Sequence, residues 1–473
     1  MKTIFKYNLL FLLALIFVSC EDELDITSED DVDSTALFST ATTVEGGVLG
    51  LYSQAQASDA FNGTPQVLSE WWADNAGFVG SFPTFRQVFD YDIQSDNTSI
   101  NSIYFQNSDV VEACNLIITD LPLADPAPRN LSLELQAQFI AEARFIRALA
   151  KFNASLYYGQ PYTVNDGASL SIPNILSVFR GDNLEEFDIP RSSLNQIYNQ
   201  IADDLTLARP DLPATYPGGE TSLRATSGAA TALLARLELY RENFAVAAQL
   251  ATDVINDPTY VLASNYTFYN TASAEHIFQI ANLAIDSQNS GTAYSGLTNP
   301  TPGGRGDAPF SQDLIDAYEA EPGDLRFSEL TQVGVDAAGT TSVFTAKYPD
   351  FATRADNAPI LRITEMYLIR AEANVRDNSS IGASPVSDLN LLRNRAGLAP
   401  LISVDIDDVL GERRKELAFE GGHRRMDLLR NGRNLREGLL FESASAVGQP
   451  QTIFPIPQRE MDLTTQLVQN PGY

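Results

Sequence analysis

The residue pattern predicts a mostly helical, all-α fold interrupted by unusually long loops. Two observations carry that reading. Apolar residues recur at spacings of three and four in most segments that show any period. The clearest runs from about 132 to 156, where Ser132 can cap the helix and Leu135, Phe139, Ile146, Leu149 and Phe152 form one stripe. Between these segments lie stretches rich in Gly, Pro, Ser and Asn that exceed ordinary helix connections, and such loops usually carry function.

Taken in order, residues 21 to about 40 are acidic and rich in Ser and Thr, and read as a tether. Helical spacing begins near 41 with Val44, Val48, Leu51 and Tyr52. Residues 57 to 100 break it with Gly63-Thr64-Pro65, Asn75-Ala76-Gly77 and Phe82-Pro83-Thr84, and read as long loops with short elements. Helix returns from about 100 to 119. After the 132–156 helix, Tyr157-Tyr158-Gly159-Gln160-Pro161 opens a Gly/Pro-rich loop to about 190, and Ser192 or Ser193 starts a helix to about 207. Residues 226–240 and 243–256 read as a helical hairpin, with Ala229, Ala230, Leu233, Ala235 and Leu237 allowing close packing. His276 to Ile280 reads as a strand, 285–309 as a large loop, 311–319 as a short helix and 329–358 as irregular. Helices follow at about 363–376, 384–396, 406–420 and 422–432, and a Pro-rich coil closes the chain. Adjacent helical pairs suggest stacked hairpins of tetratricopeptide type. The repeat signature is weak, so irregular helix packing stands beside it.

The N-terminus bears on location. Lys2 and Lys6 precede an unbroken apolar run from Leu9 to Val18, followed by Ser19-Cys20 and the acidic Glu21-Asp22-Glu23. That is the order of a secretory signal, and the run is too short to remain as a membrane span. The cysteine after Phe17-Val18-Ser19 resembles a bacterial lipoprotein box. The expectation is therefore cleavage of residues 1–19 and acylation of Cys20, with several chains giving stable anchoring. The other cysteine, Cys114, is then alone, so no disulfide forms and it reads as a buried small hydrophobe. Of 473 residues, 44% are hydrophobic, ample for a large core. With 31 Lys and Arg against 61 Asp and Glu, the net charge of −30 repels phosphate backbones and excludes nucleic-acid binding.

Several blocks occur in order through the chain: Ala141-Glu142-Ala143-Arg144-Phe145-Ile146-Arg147, then Tyr157-Tyr158-Gly159-Gln160-Pro161, Glu365-Met366-Tyr367-Leu368-Ile369-Arg370-Ala371-Glu372 and Arg393-Asn394-Arg395-Ala396-Gly397. Glu412 to Arg430, Ile456-Pro457 and the closing Asn470-Pro471-Gly472-Tyr473 complete the set. Together they resemble the RagB/SusD family of outer-membrane nutrient-binding lipoproteins of Bacteroidota. The resemblance implies a SusD-like fold with four tetratricopeptide-like hairpins, occupying residues 41–473 as one domain after the signal at 1–19 and the acylated tether at 20–40. Its N-terminal family region would cover about 41–210 and its C-terminal region about 260–473. It also implies a surface-exposed lipoprotein that captures a glycan and delivers it to a TonB-dependent, SusC-like outer-membrane transporter. A peptide ligand is the alternative within that class, and a surface glycoside hydrolase the alternative outside it.

The charged residues test the enzymatic alternative. Glu416 and Glu420 lie four apart, as do His423 and Asp427, and paired carboxylates can hydrolyse glycosides. Yet Arg413, Arg414, Arg424 and Arg425 beside them would hold carboxylates ionised, which is wrong for a general acid, so ion pairs that fix helix packing are expected and no catalytic residue. The two histidines, His276 and His423, have no metal-site spacing. The family sometimes binds calcium, and Asp307, Asp313 and the Asp/Asn-rich stretch 90–97 are the oxygen donors on offer, without a loop consensus. No other cofactor is expected.

For the ligand site, sugars need flat aromatic faces and planar polar groups. Trp71 and Trp72 are the chain's only tryptophans, followed by Asp74, Asn75 and Phe78 in a turn-rich region. In an extended segment the two rings would point to opposite sides, so one could face ligand while the other anchors the loop; both anchoring the loop to the core is the alternative. Tyr269, Tyr294, Arg305 and Asp307 are further ligand candidates from the middle loops.

Overall fold

The computed structural model describes residues 34–180, 188–287 and 291–473. Cys20 and the apolar run before it lie outside the described residues. The packed chain starts ahead of the expected boundary at 41, because Phe38 is buried and Thr40 bridges to Arg129.

The helices follow the periodicity closely. α1 (Ala41–Ala55) buries Val44, Val48 and Leu51. The stretch expected as long loops with short elements holds two short helices, α2 (Thr64–Trp72) and α3 (Pro83–Phe89); in each a proline stands in the first turn, where its missing N–H costs nothing. α4 (Thr98–Asp120) is capped by the Asn97 side chain, and α5 (Leu133–Tyr158) by Ser132, whose Oγ accepts the Leu135 N–H at 3.1 Å. β1 (Leu170–Pro173) and β2 (Arg191–Ser193) form a short ladder ahead of α6 (Leu194–Ala208), which opens with a Ser193–Gln196 capping box. The hairpin is α7 (Ser227–Tyr240) and α8 (Phe244–Ile255).

β3 (His276–Ile280) is the expected strand. The loop after it contains the short helix α9 (Tyr294–Thr298), followed by α10 (Gln312–Glu319) and α11 (Leu325–Glu329). The region expected to be irregular is a hairpin of β4 (Thr331–Val335) and β5 (Thr341–Thr345), in register from Thr331 opposite Thr345 to Val335 opposite Thr341. Its alternation is too short and too exposed to stand out from loop. β6 (Ala358–Arg362) pairs antiparallel with β3, and both strands are buried throughout. α12 (Ile363–Arg376), α13 (Pro385–Arg395), α14 (Ile406–Leu417), α15 (His423–Arg430) and α16 (Gln458–Leu463) complete the order.

Packing runs helix to helix through the chain. α4 lies on α5, α5 on α6, α6 on α7 and α7 on α8; α8 then packs on α12, which carries α13 and α14. The small face of α7, with Ala229, Ala230, Ala232 and Ala235 fully buried, allows this close approach. The tail closes the array. Phe454 donates its N–H to the Tyr157 carbonyl at 2.7 Å, and Asn470 Nδ2 donates to the Tyr158 carbonyl at 3.0 Å and the Phe454 carbonyl at 2.7 Å. The final residues thus clip onto the end of α5.

The charged blocks form a buried network. Arg362 meets Glu275 at 2.8 Å, Glu420 at 2.8 Å and Glu416 at 3.4 Å. Arg395 reaches Glu416 at 2.7 Å, Arg326 reaches Glu412 at 2.8 Å, and Lys347 reaches Glu420 at 2.5 Å. Burial pushes the Glu420 carboxyl up, but Arg362 and Lys347 outweigh it and hold the group down at about 2. Burial draws His423 down to about 4. Neither residue has the proton affinity or the access of an acid–base catalyst at neutral pH.

Glu70 on α2 is the exception among these carboxyls. Burial raises it to about 8 against the Asn75 amide, which donates to Oε2 at 2.6 Å. A carboxyl raised in the folded state stabilises fully below its unfolded pKa, and that contribution fades as pH rises toward about 8. The thermal midpoint of the parent relative to Glu70→Gln is therefore expected to fall as pH rises from about 5 to about 8, and scanning calorimetry of the two proteins side by side across that range is the check.

Candidate functional site

The aromatic cluster expected to face ligand is core. Every residue of α2 is buried, and a helix, not an extended segment, carries both tryptophans. Trp71 donates its indole N–H to the Gly77 carbonyl at 3.1 Å and packs against Phe78 and Phe85 at 5.0 and 5.4 Å. Trp72 has both faces filled: Phe454 stacks on it at 4.5 Å, and the Arg425 guanidinium lies 4.1 Å from its ring. Both rings are 0% exposed, so neither offers a face to a sugar. Phe78 is likewise buried.

The polar candidates around them have protein partners. Asp74 takes Arg424 through both oxygens at 2.7 and 2.6 Å; burial raises its carboxyl, but Arg424 and Arg414 outweigh that and hold it low. Asn75 bridges Glu70 and Arg414, accepting from the latter at 2.9 Å. Tyr269 stacks on Phe268 at 4.3 Å and donates to Glu420 at 2.5 Å. Tyr294 stacks on Tyr348 at 4.3 Å and accepts the Gly421 N–H at 3.1 Å. As free ligand contacts, Trp71, Trp72, Asp74, Asn75, Phe78, Tyr269 and Tyr294 are corrected to packing roles, each turned toward the C-terminal half or its own loop. Of the carboxylates offered for calcium, Asp313 pairs with Arg414 at 2.6 Å and Asp307 with Arg305 at 2.7 Å. No group of three metal-ligating side chains occurs among the described residues.

Arg305 does reach the surface edge, with the buried Asp307 directly beneath it, and the structure builds a rim around the pair. Residues 76–80 run beside 307–310, with Gly77 N–H bonded to the Pro309 carbonyl and Val79 N–H to the Asp307 carbonyl. A Cβ at Gly80 would lie 2.7 Å from the Asp307 carboxyl carbon, so a larger residue there would push that carboxyl aside. Arg305 lies 4.2 Å over the Phe82 ring while its Nε pairs with Asp307. The guanidinium is thereby fixed in plane, a third exposed, with its outer edge toward solvent. Burial raises the Asp307 carboxyl against the pull of Arg305.

Two residues along, Gly303 (φ +127°) lies so close to Phe351 that a Cβ would sit 2.6 Å from the ring. Phe351 is 44% exposed, a large flat side chain in a loop braced from within. The Asp350 carboxylate accepts N–H bonds from Ala352, Thr353 and Ala355 at 3.1, 2.8 and 3.2 Å. The turn 282–287 abuts the same loop through Ser287, which donates to the Thr353 carbonyl at 2.7 Å, and adds the exposed Leu283 and Ile285. The rim thus joins a fixed guanidinium–carboxylate pair to an exposed aromatic face. Sequence reasoning named Arg305 and Asp307 but missed Phe351. Its signal was Pro349-Asp350, a turn whose aspartate can bond the following N–H groups.

Stability separates the two kinds of aromatic. Trp72→Ala is expected to cost about 3–5 kcal/mol, and Phe351→Ala to stay within about 0.5 kcal/mol, by chemical denaturation.

Comparison with known proteins agrees with this architecture. A sequence model described as the SusD family matches residues 337–473, and one described as starch-binding associating with outer membrane matches residues 22–239. A SusD-like protein of Bacteroides ovatus is 23% identical over 475 residues, covering 89% of this chain and 82% of that one. The crystal structure of a SusD superfamily protein from Bacteroides vulgatus superposes with a TM-score of 0.81 at 26% identity, covering 92% of this chain and all of the other. Surface glycan-binding protein A from Bacteroides uniformis superposes with a TM-score of 0.73 at 21% identity, covering 91% and 99%. Among the described residues no helix is long and apolar enough to cross a membrane. Matched at both ends by family sequence models and throughout by fold, this chain belongs to the SusD/RagB family, whose members are typically non-catalytic outer-membrane proteins that bind glycans at the cell surface for uptake.

Proposed function

We propose that this protein captures an oligosaccharide or polysaccharide on the cell surface and delivers it to a TonB-dependent, SusC-like transporter. The observation that carries the reading is the rim formed by Phe351, Arg305, Asp307 and Phe82. An exposed ring takes the apolar C–H face of a sugar, and a guanidinium held in plane by a carboxylate bonds pairs of hydroxyls. Both are braced before ligand arrives, which lowers the ordering cost of binding. Arg305 is the ligand contact retained from sequence, Asp307 holds it from beneath, and Phe351 is added.

Residues 1–19 are read as a signal peptide, and Cys20 as the acylated anchor of a chain whose body, from the buried Phe38 onward, acts as one domain. Family members generally partner SusC-type transporters, which supports the assigned partner. The buried network around Glu416 and Glu420 favours binding without catalysis, because those carboxylates are each committed to cations.

A glycan array followed by isothermal titration calorimetry tests the reading. A saturable hit whose sugar is recovered intact is expected, with Phe351→Ala and Arg305→Ala each weakening it by about tenfold or more, equivalent to about 1.4 kcal/mol. Unchanged affinity in both variants removes the site from this rim, and a hit only on a peptide array transfers the reading to peptide uptake. Cys20→Ser is expected to shift the protein from the membrane fraction to the soluble fraction; full retention in the outer membrane counts against the lipid anchor.

A further inference from the structure

A second recess lies between α4, α5 and α16 and shares no residue with the rim. It encloses about 440 Å³, within the size range of small-molecule sites. Lys151 of α5 lines it and is only 1% exposed. Its Nζ donates one hydrogen bond, to Asn174 Oδ1 at 2.7 Å, and among the described residues no carboxylate pairs with it. The nearest deep carboxylate, Asp204, is committed to Arg147 at 2.6 Å and Arg144 at 3.3 Å. A lysine this buried is ordinarily paired. Here burial, reinforced by the charge of Arg147, draws the amine down to about 7. Two of its three donor positions are left for a group inside the cavity.

The mouth carries the opposite charge. Asp109 and Glu112 from α4 and Glu460 from α16 line it, and none forms an ion pair among the described residues. Glu112 accepts the Phe179 N–H, and Arg459 is the one cation that acts on Glu460. Burial raises all three carboxyls. A fourth, Asp188, is held by the Thr465 and Gln466 N–H groups. Between floor and mouth the walls are apolar, from Tyr104, Val111, Ile172, Ile175 and Leu463.

We propose that this cavity binds a zwitterion with an apolar body, a free amino acid or a dipeptide. Its carboxylate lies on Lys151, its ammonium among Asp109, Glu112 and Glu460, and its side chain against the walls. The charge order selects this class. A simple anion meets the acidic mouth, and a simple amine leaves Lys151 without a counter-charge.

Calorimetry on the purified full-length protein in detergent tests it, using leucine, leucyl-leucine, leucinamide and 4-methylpentanoate as probes. Leucine or leucyl-leucine is expected to bind at one site, and the two leucine analogues lacking one charge to bind about tenfold or more weakly. Lys151→Met is expected to abolish binding while Phe351→Ala leaves it unchanged, which separates this site from the glycan rim. Should Lys151→Met fail to fold, the double surface variant Asp109→Asn/Glu460→Gln decides, with an expected loss of about tenfold. No binding of either zwitterion at about 10 mM, equal binding of the single-charge analogues, or unchanged affinity in a folded Lys151→Met or in the double variant overturns the proposal.

Discussion

Arg362 is held by three carboxylates that reach it from distant parts of the chain: Glu275 ahead of β3, and Glu416 and Glu420 at the end of α14 and just beyond it. Arg395 ties Glu275 and Glu416 again from α13, and Lys347 reaches Glu420 from the loop after β5. These charges are almost fully buried, so each is tolerable only while the others are in place. Such a network adds little net stability compared with apolar packing, but it penalises any arrangement that leaves one member alone. It therefore sets where the buried β3–β6 ladder, α13 and α14 sit relative to one another.

The N-terminal half docks on that frame through charge and aromatic stacking together. Arg424 and Arg414 hold Asp74, Arg414 also holds Asn75, and Arg425 covers Trp72 while bonding the Leu156 carbonyl at 2.9 Å. Among the described residues Arg425 has no carboxylate partner; carbonyl oxygens and a ring face take its place, and burial brings it down to about 10. The arginine-rich helix α15 and the tryptophan-bearing helix α2 are thus two sides of one joint. With the joint closed, the segments on either side of it, 76–82 and 299–310, meet edge to edge and expose Arg305 beside Phe82. The candidate rim is the outer surface of a structure whose inner surface holds the tryptophans.

The two candidate sites differ in chemistry as well as place. The rim is open, with its single guanidinium neutralised by Asp307 and an exposed ring nearby, which suits uncharged polyhydroxylated ligands. The α4–α5 cavity is a recess, apolar along its walls and charged at both ends, which suits a small dipolar ligand. Both keep their polar groups on secondary structure or on loops tied by several hydrogen bonds, so little ordering is left for the moment of binding.

Helix positions were legible because burial of one face imposes a 3.6-residue period, and caps such as Ser132 and Ser193 mark where it starts. The structural role of Glu416, Glu420 and their arginines was also legible, since alternating opposite charges on neighbouring turns argue pairing before any coordinates exist. The all-buried α2 was not, because its three-and-four spacing of Val67, Leu68, Trp71 and Trp72 lasts little more than one turn, and Gly63 and Pro65 beside it look like loop punctuation. For the same reason Trp71 and Trp72 looked available when both are core. Aromatic residues serve equally as anchors and as platforms, and only the neighbours decide which. Phe454 and Arg425 lie more than 350 positions from Trp72 in sequence, so no local pattern reports that its faces are filled. Phe351 is the converse, an ordinary loop residue until Gly303 and the Asp350 turn prop one face into solvent. The sequence by itself determined the class, the helices and the buried charges, which depend on spacing along the chain. Tertiary structure alone decided which aromatic faces stay open to solvent, because exposure depends on what the rest of the chain leaves uncovered.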